Sequence, residues 1–476
     1  MSDPSDAVQS ALTKVPSGIA GLDDITGGGL PAGRPTLVCG GPGSGKTLVG
    51  LSFLVNGARQ YGEPGVLISF EESAQDLACD VASLGFDLPG LTAEGKLFVD
   101  YVHIDRSEIE ETGEYDLEGL FVRLESAVKQ VGARRVVFDT VESLFGGLSN
   151  ESILRTELRR LLRWLKDRNL TTIITGERGR DTLTRQGLEE YVTDAVILLD
   201  HRVRDELSTR RLRIVKYRGS FHGTNEYPFL IDRQGLSVLP VTSLRLDHQA
   251  PMERVSTGVP PLDDMLGGQG FYKGSTVLLS GTAGTGKTSL AASFADAACG
   301  RGEKCVYFLL EESPKQMIRN MRSIGIDLRQ WSERGLLHLL AERPSRFGLE
   351  AHLAAMYRAI DELSPETVVV DSITDLLSLG GEAEVQAMLT RLIDYLKTRG
   401  MTVLFSSLSP GAVEVQESHA GVSSLMDAWI LVKLEQTGNE RHREISVLKA
   451  RGIAHSSRVY DFKITERGFQ FSASKG

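Results

Sequence analysis

Apolar residues in this chain gather in short unbroken runs. Residues 36–40 (TLVCG), 65–70 (GVLISF), 135–139 (RVVFD), 171–175 (TTIIT) and 195–200 (AVILLD) are such runs. Runs of this length predict strands buried on both faces, the pattern of a parallel sheet. Longer segments with helical spacing lie between them. In residues 151–169 (ESILRTELRRLLRWLKDRN), Leu154, Leu158, Leu161, Leu162 and Leu165 fall on one face. Alternation of such strands and helices predicts an α/β fold with a mostly parallel central sheet. Residues 200–213 (DHRVRDELSTRRLR) depart from the pattern and read as a hairpin interrupted by acids.

The whole pattern occurs twice. Residues 15–47 (VPSGIAGLDDITGGGLPAGRPTLVCGGPGSGKT) are echoed by 255–288 (VSTGVPPLDDMLGGQGFYKGSTVLLSGTAGTGKT). SFEESAQDL (69–77) returns as LLEESPKQM (309–317), RRVVFDTVESL (134–144) as ETVVVDSITDL (366–376), and RIVKYRGSFH (213–222) as SVLKARGIAH (446–455). The order and spacing hold throughout, so the chain is a tandem duplication with too long a period for a solenoid. The predicted domains are residues 1–246 and 247–476, joined through the polar stretch 244–255 (LRLDHQAPMERV).

Composition narrows the class without changing the fold. Apolar residues make up 41% and charged residues 24%, values that suit a globular protein with real cores. No apolar run reaches the length of a membrane span. The N-terminus, MSDPSDAVQSALTK, has no signal-peptide core, and the cytoplasm is the expected location. Cys39, Cys79, Cys299 and Cys305 form neither a CxxC pair nor a zinc-spaced cluster. A formal net charge of -10 argues against a protein that coats nucleic acid.

Residues 40–47 (GGPGSGKT) follow an apolar strand and open a helix-like segment, the context a phosphate-binding P-loop requires. Its glycines let backbone N–H groups converge on phosphates, and the helix N-terminus adds partial positive charge. Lys46 supplies a point charge to the β/γ-phosphates and Thr47 a hydroxyl to Mg²⁺. Residues 281–288 (GTAGTGKT) repeat the arrangement with Lys287 and Thr288. Two ATP molecules per chain are expected, bound by Gly41, Gly43, Ser44, Gly45, Lys46, Thr47 and Leu48 and by Thr282, Gly284, Thr285, Gly286, Lys287, Thr288 and Ser289. Asp139 and Asp371 end apolar strands and read as Walker B carboxylates that organise the Mg²⁺ shell. Glu71-Glu72 and Glu311-Glu312 lie 25 and 24 residues beyond the P-loop lysines. One carboxylate of each pair would take a proton from, or orient, an attacking water or hydroxyl, and repulsion within the pair raises its basicity. Lys216 and Arg218, like Lys449 and Arg451, are spaced i, i+2 at a strand end and so share a face. In ring ATPases such cations reach a neighbour's γ-phosphate.

These features together resemble the KaiC family of circadian-clock ATPases and autokinases over nearly the full length. The resemblance rests on the duplicated frame, the Glu-Glu pairs, NEYPF (225–229) and the KxRG motifs at 216–219 and 449–452. It implies tandem RecA-like P-loop NTPase domains assembled as a homohexamer of two stacked rings, with ATP between neighbouring subunits. It further implies slow hydrolysis in the first ring and autophosphorylation in the second. Glu71 or Glu72 would then position hydrolytic water, and Glu311 or Glu312 would activate a hydroxyl on the neighbour. By the same matching Ser83, Lys216, Arg218 and His222 are first-ring nucleotide contacts, and Arg443, Lys449 and Arg451 second-ring contacts. Thr47, Thr288 and Glu311 are placed at Mg²⁺. Ser423 and Ser424 fall on the family's acceptor pair, with Ser418 on a nearby threonine. Two positions depart: a second-ring arginine becomes Ser378 and an aromatic near the adenine becomes Ile324. The chain also ends at FKITERGFQFSASKG, short of the tail through which some members answer KaiA, so KaiA dependence is not expected.

The leading expectation is therefore a two-site ATPase and serine autokinase using ATP and Mg²⁺, in circadian or timing and stress signalling. Candidate partners are a KaiB-like protein and a response-regulator or histidine-kinase protein. A RecA/DnaB-like nucleic-acid motor and an ATP-gated signalling scaffold are the alternatives. The motor needs loops rich in basic and aromatic residues, and residues 200–213 are its best basic candidate.

Overall fold

The apolar runs are strands, and their directions follow from what connects them. In the computed structural model, residues 12–102, 118–145, 151–179, 182–184, 193–204, 207–233, 235–239, 251–343, 348–409, 424–437 and 439–473 are described. The chain divides into two units, Met1–Val241 and Thr242–Gly476. The first holds β1 (Lys14–Val15), β2 (Leu30–Pro31), β3 (Pro35–Gly40), β4 (Gly65–Ser69), β5 (Leu97–Tyr101), β6 (Arg135–Asp139), β7 (Thr171–Glu177), β8 (Ala195–Arg204), β9 (Leu207–Tyr217), β10 (Glu226–Asp232) and β11 (Gly235–Val238). Its nine-stranded sheet has the order β11-β10-β9-β8-β3-β7-β6-β4-β5.

From β5 to β8 every neighbouring pair is parallel, whereas β8 to β11 pair antiparallel. Long helical crossovers force the first arrangement and short turns permit the second. The predicted hairpin at 200–213 is the β8–β9 pair, in which Asp200 faces Arg211. β3 lies between two parallel partners and all six of its residues are buried. Its side chains feed two cores by the period-two rule. Val38 joins Val137 with the Lys46–Gln60 helix on one face. Leu37 and Cys39 join Val136 and Phe138 on the other face, under Leu158, Leu161, Leu162 and Leu165. The predicted long helix spans Glu151–Asp167 and contributes that leucine stripe.

The second unit reproduces this frame. Its strands are β12 (Arg254–Val255), β13 (Phe271–Tyr272), β14 (Thr276–Gly281), β15 (Cys305–Leu309), β16 (Leu337–Ala341), β17 (Thr367–Asp371), β18 (Thr402–Leu408), β19 (Ala428–Thr437), β20 (Glu440–Ala450), β21 (Tyr460–Thr465) and β22 (Gly468–Ala473). The order β16-β15-β17-β18-β14-β19-β20-β21-β22 is the first sheet read from its other end. The repeated LDD frame is structural. Asp23 accepts from the Ser17 hydroxyl and backbone N–H at 2.6 and 2.8 Å. Asp263 accepts from the Thr257 N–H at 2.8 Å and from Ser256. Each aspartate thereby pins the turn that leads into its unit.

One buried cation distinguishes the first unit. Arg135 opens β6 with no exposed surface. Its guanidinium donates to Glu63 (2.7 Å), the Phe53 carbonyl (2.8 Å) and the Pro16 carbonyl (2.9 Å), and lies 4.4 Å from the Phe53 ring centroid. It ties the N-terminal segment, the Lys46–Gln60 helix and β6 together. The matching place in the second unit is Thr367, which donates to Glu303 at 3.1 Å. Arg135→Met would leave Glu63 and two carbonyls without their donor, at a cost of about 3 kcal/mol. Denaturant unfolding should show the first unit's transition moved to lower denaturant and the second unit's unmoved.

Candidate nucleotide sites

Each P-loop begins where the central strand ends. Gly43 and Gly45 have φ of 67° and 98°, and Gly284 and Gly286 have φ of 76° and 97°. That left-handed conformation favours glycine and turns the backbone N–H groups to one side. A methyl group at Gly43 or Gly284 would stand in open space, so the outer side of each loop is clear. At Gly45 it would come within 3.0 Å of Ile231, and at Gly286 within 2.6 Å of Ile464, which seats both loops on the antiparallel strands. Lys46 donates to the carbonyls of Gly40 and Gly41, both at 3.1 Å. Lys287 donates to those of Gly281 and Thr282, both at 2.9 Å. Burial holds the Lys287 ammonium below its ordinary range, opposed by Asp371 and Glu311. Among the described residues the buried Ser44 hydroxyl has no hydrogen-bond partner. Leu48, Thr288 and Ser289 sit half-buried in the first turns of the two helices.

The Walker B aspartates lie beside the loops. Asp139 is raised in pKa by burial, against hydrogen bonds from Thr175 and Thr47. Asp371 accepts from Ser406 and, at 2.9 Å, from the Tyr307 hydroxyl. The peptide after each aspartate is cis. Glu71 accepts from Thr140 at 2.9 Å and from Ser143 at 3.2 Å. Partial burial raises Glu72, helped by the charges of Asp80, Asp139 and Glu71. In the second unit Glu311 is hydrogen-bonded to Asp375 and is raised by partial burial and then by Asp375. Glu312 accepts from Asn320 at 3.4 Å. The donors gathered at each loop are oxygens, as a hard cation such as Mg²⁺ requires. Thr47, Asp139 and Glu71 would hold one, and Thr288, Asp371 and Glu311 the other.

Two residues that sequence reasoning passed over separate the sites. Asp375 stands where the first unit has Ser143, so a carboxyl replaces a hydroxyl against the leading glutamate. Tyr307, fully buried on β15, stands where β4 has Leu67. Both differences were visible in the aligned repeats, as DTVES against DSITD and GVLIS against CVYFL. Neither resembled a motif.

The late cations lie away from the P-loops of their own units. The Arg218 N–H donates to the Asp194 carbonyl (2.9 Å), and the Asp194 N–H to Pro35 (3.0 Å). That sets Arg218 level with the first residue of β3, whereas the P-loop leaves from the last, Gly40. Five residues of strand are about 17 Å. Lys216 donates to the Thr193 carbonyl at 2.6 Å, at the same edge. In the second unit Arg451 reaches Thr276 through Asp427 in the same way, with both bonds at 2.8 Å. The Arg451 guanidinium also donates to the Ser424 carbonyl at 2.8 Å. Lys449 is lowered by burial and by Arg451. Asp194 and Asp427, each salt-bridged to a helix lysine (Lys166 at 2.6 Å, Lys397 at 2.9 Å), fix these edges.

His222 packs beside the Tyr217 ring, 6.2 Å between centroids. Ser83 ends the Ala74–Ala82 helix and is exposed. Arg443 leaves the group at the far edge and donates to the Gly284 carbonyl of its own P-loop at 3.3 Å. Strand register places Arg210 at the equivalent point of the first unit, a residue the motifs did not single out. Ser424 is exposed in a turn before β19, and Ile324 packs against the second core. Ser418 and Ser423 lie outside the described residues, as does the side chain of Ser378. No helix among the described residues is long and apolar enough to cross a membrane.

A family model described as "ATPase: KaiC" matches residues 15–243 and again 255–476. The chain is 51% identical over 470 residues to "Circadian clock protein KaiC2" of Synechocystis sp., covering 98% of this chain and 82% of that protein. It is 37% identical over 463 residues to "Circadian clock oscillator protein KaiC" of Synechococcus elongatus, covering 96% and 89%. A protein of the same description from Thermosynechococcus vestitus is 36% identical over 478 residues, covering 99% and 92%.

The contrast between Ser143 and Asp375 yields a pH prediction. A base with a raised pKa gains its active, ionised form only at higher pH. In a chain whose first site is disabled by Lys46→Ala, ATP turnover should rise with pH along a limb set by Glu311. Asp375→Ser removes the neighbouring carboxyl, lowers that pKa and moves the limb to lower pH. Initial rates across the acidic range would check it; an unmoved limb would separate Asp375 from the ionisation.

Proposed function

Because the chain belongs to the KaiC ATPase family, we propose that it closes into a ring of identical subunits, hydrolyses ATP at the first site and phosphorylates serine at the second. The observation that carries this reading is the separation of each P-loop from its KxR motif, at opposite edges of one parallel sheet. Lys216 and Arg218 stand a strand's length from their own phosphate loop, as do Lys449 and Arg451. They fit the γ-phosphate of a neighbouring copy. Such head-to-tail contacts are heterologous and close into rings when the rotation allows. Six subunits and two stacked layers are what the family adds.

Ser424 sits at that same far edge, against Arg451. An acceptor there meets the second-site nucleotide of the adjacent copy. In the transfer, the serine oxygen bonds to the γ-phosphorus, the bridging bond to ADP breaks, and the hydroxyl proton passes to Glu311 or Glu312. The raised basicity of Glu311 suits that acceptance. In the first unit Glu71, held by Thr140 and Ser143, suits the orienting of water. Mg²⁺ bound among the oxygen donors would neutralise phosphate charge. Lys46 and Lys287 bind the phosphates, and Arg218 and Arg451 stabilise charge from across the contact. Ser83, His222 and Arg443 complete the nucleotide contacts. The names of the relatives extend the proposal to clock or timing signalling, with a KaiB-like or response-regulator partner.

Mixed subunits test it. One copy carries Glu311→Gln and Glu312→Gln with its serines intact. The other keeps its glutamates and carries Ser423→Ala and Ser424→Ala. Incubation with ATP-Mg²⁺ should put phosphate on the first copy, read by mass spectrometry of the Ser423–Ser424 peptide, within a six-subunit mass. Absence of phosphate from the first copy, under conditions in which the unsubstituted chain is labelled, would overturn transfer between subunits.

A further inference from the structure

The second sheet carries a donor cluster on the face turned away from its P-loop. On β20, Ile445 and Val447 enter the core with Phe462 of β21, and Arg443 reaches the P-loop. By strand alternation His442 and Glu444 face the other way. Glu444 is the direct cross-strand partner of Asp461 on β21. His442 Nε2 lies 3.4 Å from Glu444 Oε1 and 3.8 Å from Asp461 Oδ1. One ligand atom from each residue falls within 4.8 Å of the others. All three side chains are between a fifth and a third exposed, so an ion has a way in.

Two costs stand at this place. Like charges directly opposite on paired strands repel, and Glu444 faces Asp461. Among the described residues the buried Asp461 Oδ1 atom has no hydrogen-bond partner, which leaves its desolvation uncompensated. Lys433 stands opposite Glu444 on β19, yet among the described residues the two carboxylates pair only with His442. The first unit differs here: register puts Thr209, Arg211 and Pro228 at the corresponding places.

We propose that His442, Glu444 and Asp461 bind a divalent transition-metal cation of the zinc type. Metal–ligand bonds of about 2.0–2.2 Å separate tetrahedral donors by roughly 3.4 Å. Two of the three separations are already near that value, and the third closes with a rotation of a carboxylate. One imidazole and two carboxylates suit zinc, cobalt or manganese. The ion relieves the cross-strand repulsion, supplies the partner that Asp461 Oδ1 lacks and fastens β20 to β21. β21 also carries the Ile464 that seats the second P-loop.

Co²⁺ titration of the untagged, nucleotide-free full chain tests the site. One equivalent should bind with visible d–d absorption, and affinity should fall at least tenfold in His442→Thr, Glu444→Gln and Asp461→Asn. Zn²⁺ should raise the unfolding temperature of the parent chain and not that of His442→Thr. ATP binding by the variants reports that they fold. Absence of Co²⁺ uptake, or uptake unchanged by all three substitutions, would overturn the proposal.

Discussion

The direction of six parallel strands is the constraint on which the rest of each unit depends. Parallel pairing sends every connection over a face of the sheet, so helices cover both faces and the strands must be apolar throughout. It also gives the sheet two chemically different edges. At the C-terminal edge the strands release the P-loop, the Walker B aspartate and the Glu-Glu pair together. At the N-terminal edge β8 and β19 begin, and the returning β9 and β20 bring the KxR cations back to that level. The P-loop lysine and the KxR cations of one unit are therefore held apart, because a length of strand of about 17 Å lies between them.

Duplication preserved this frame and allowed the sites to diverge. Backbone requirements were kept on both sides: glycine at positive φ in each P-loop, a lysine folded onto loop carbonyls, and an aspartate pinning the entry turn. What differs is the layer behind the nucleotide. Ser143 gives way to Asp375 and Leu67 to Tyr307, so a carboxyl stands beside the second unit's leading glutamate and a tyrosine hydroxyl reaches its strand-end aspartate. Hydroxyls stand beside Glu71, whereas a carboxyl stands beside Glu311 and, after partial burial, raises it. The scaffold fixes position, and the groups behind the loop set the basicity of the carboxylates there.

Much of this was legible in the sequence. Buried parallel strands read as TLVCG or RVVFD because both faces of such a strand must be apolar. P-loops read because the need for glycine at Gly43, Gly45, Gly284 and Gly286 comes from the local backbone. The site's finer electrostatics were not legible. The hydrogen bond of Tyr307 to Asp371 spans 64 residues, and the ties of Arg135 to Pro16 span 119. No local pattern encodes such meetings.

Local chemistry and periodicity by themselves determined that the chain is two α/β units and that each carries a P-loop. Those properties depend on backbone conformation and burial, which near neighbours in the chain dictate. Only the tertiary structure decided that Arg218 and Arg451 stand a strand's length from their own phosphate loops, that Arg210 matches Arg443, and that His442, Glu444 and Asp461 converge. Strand order and register bring those groups together or hold them apart, and both are set by packing across the whole sheet.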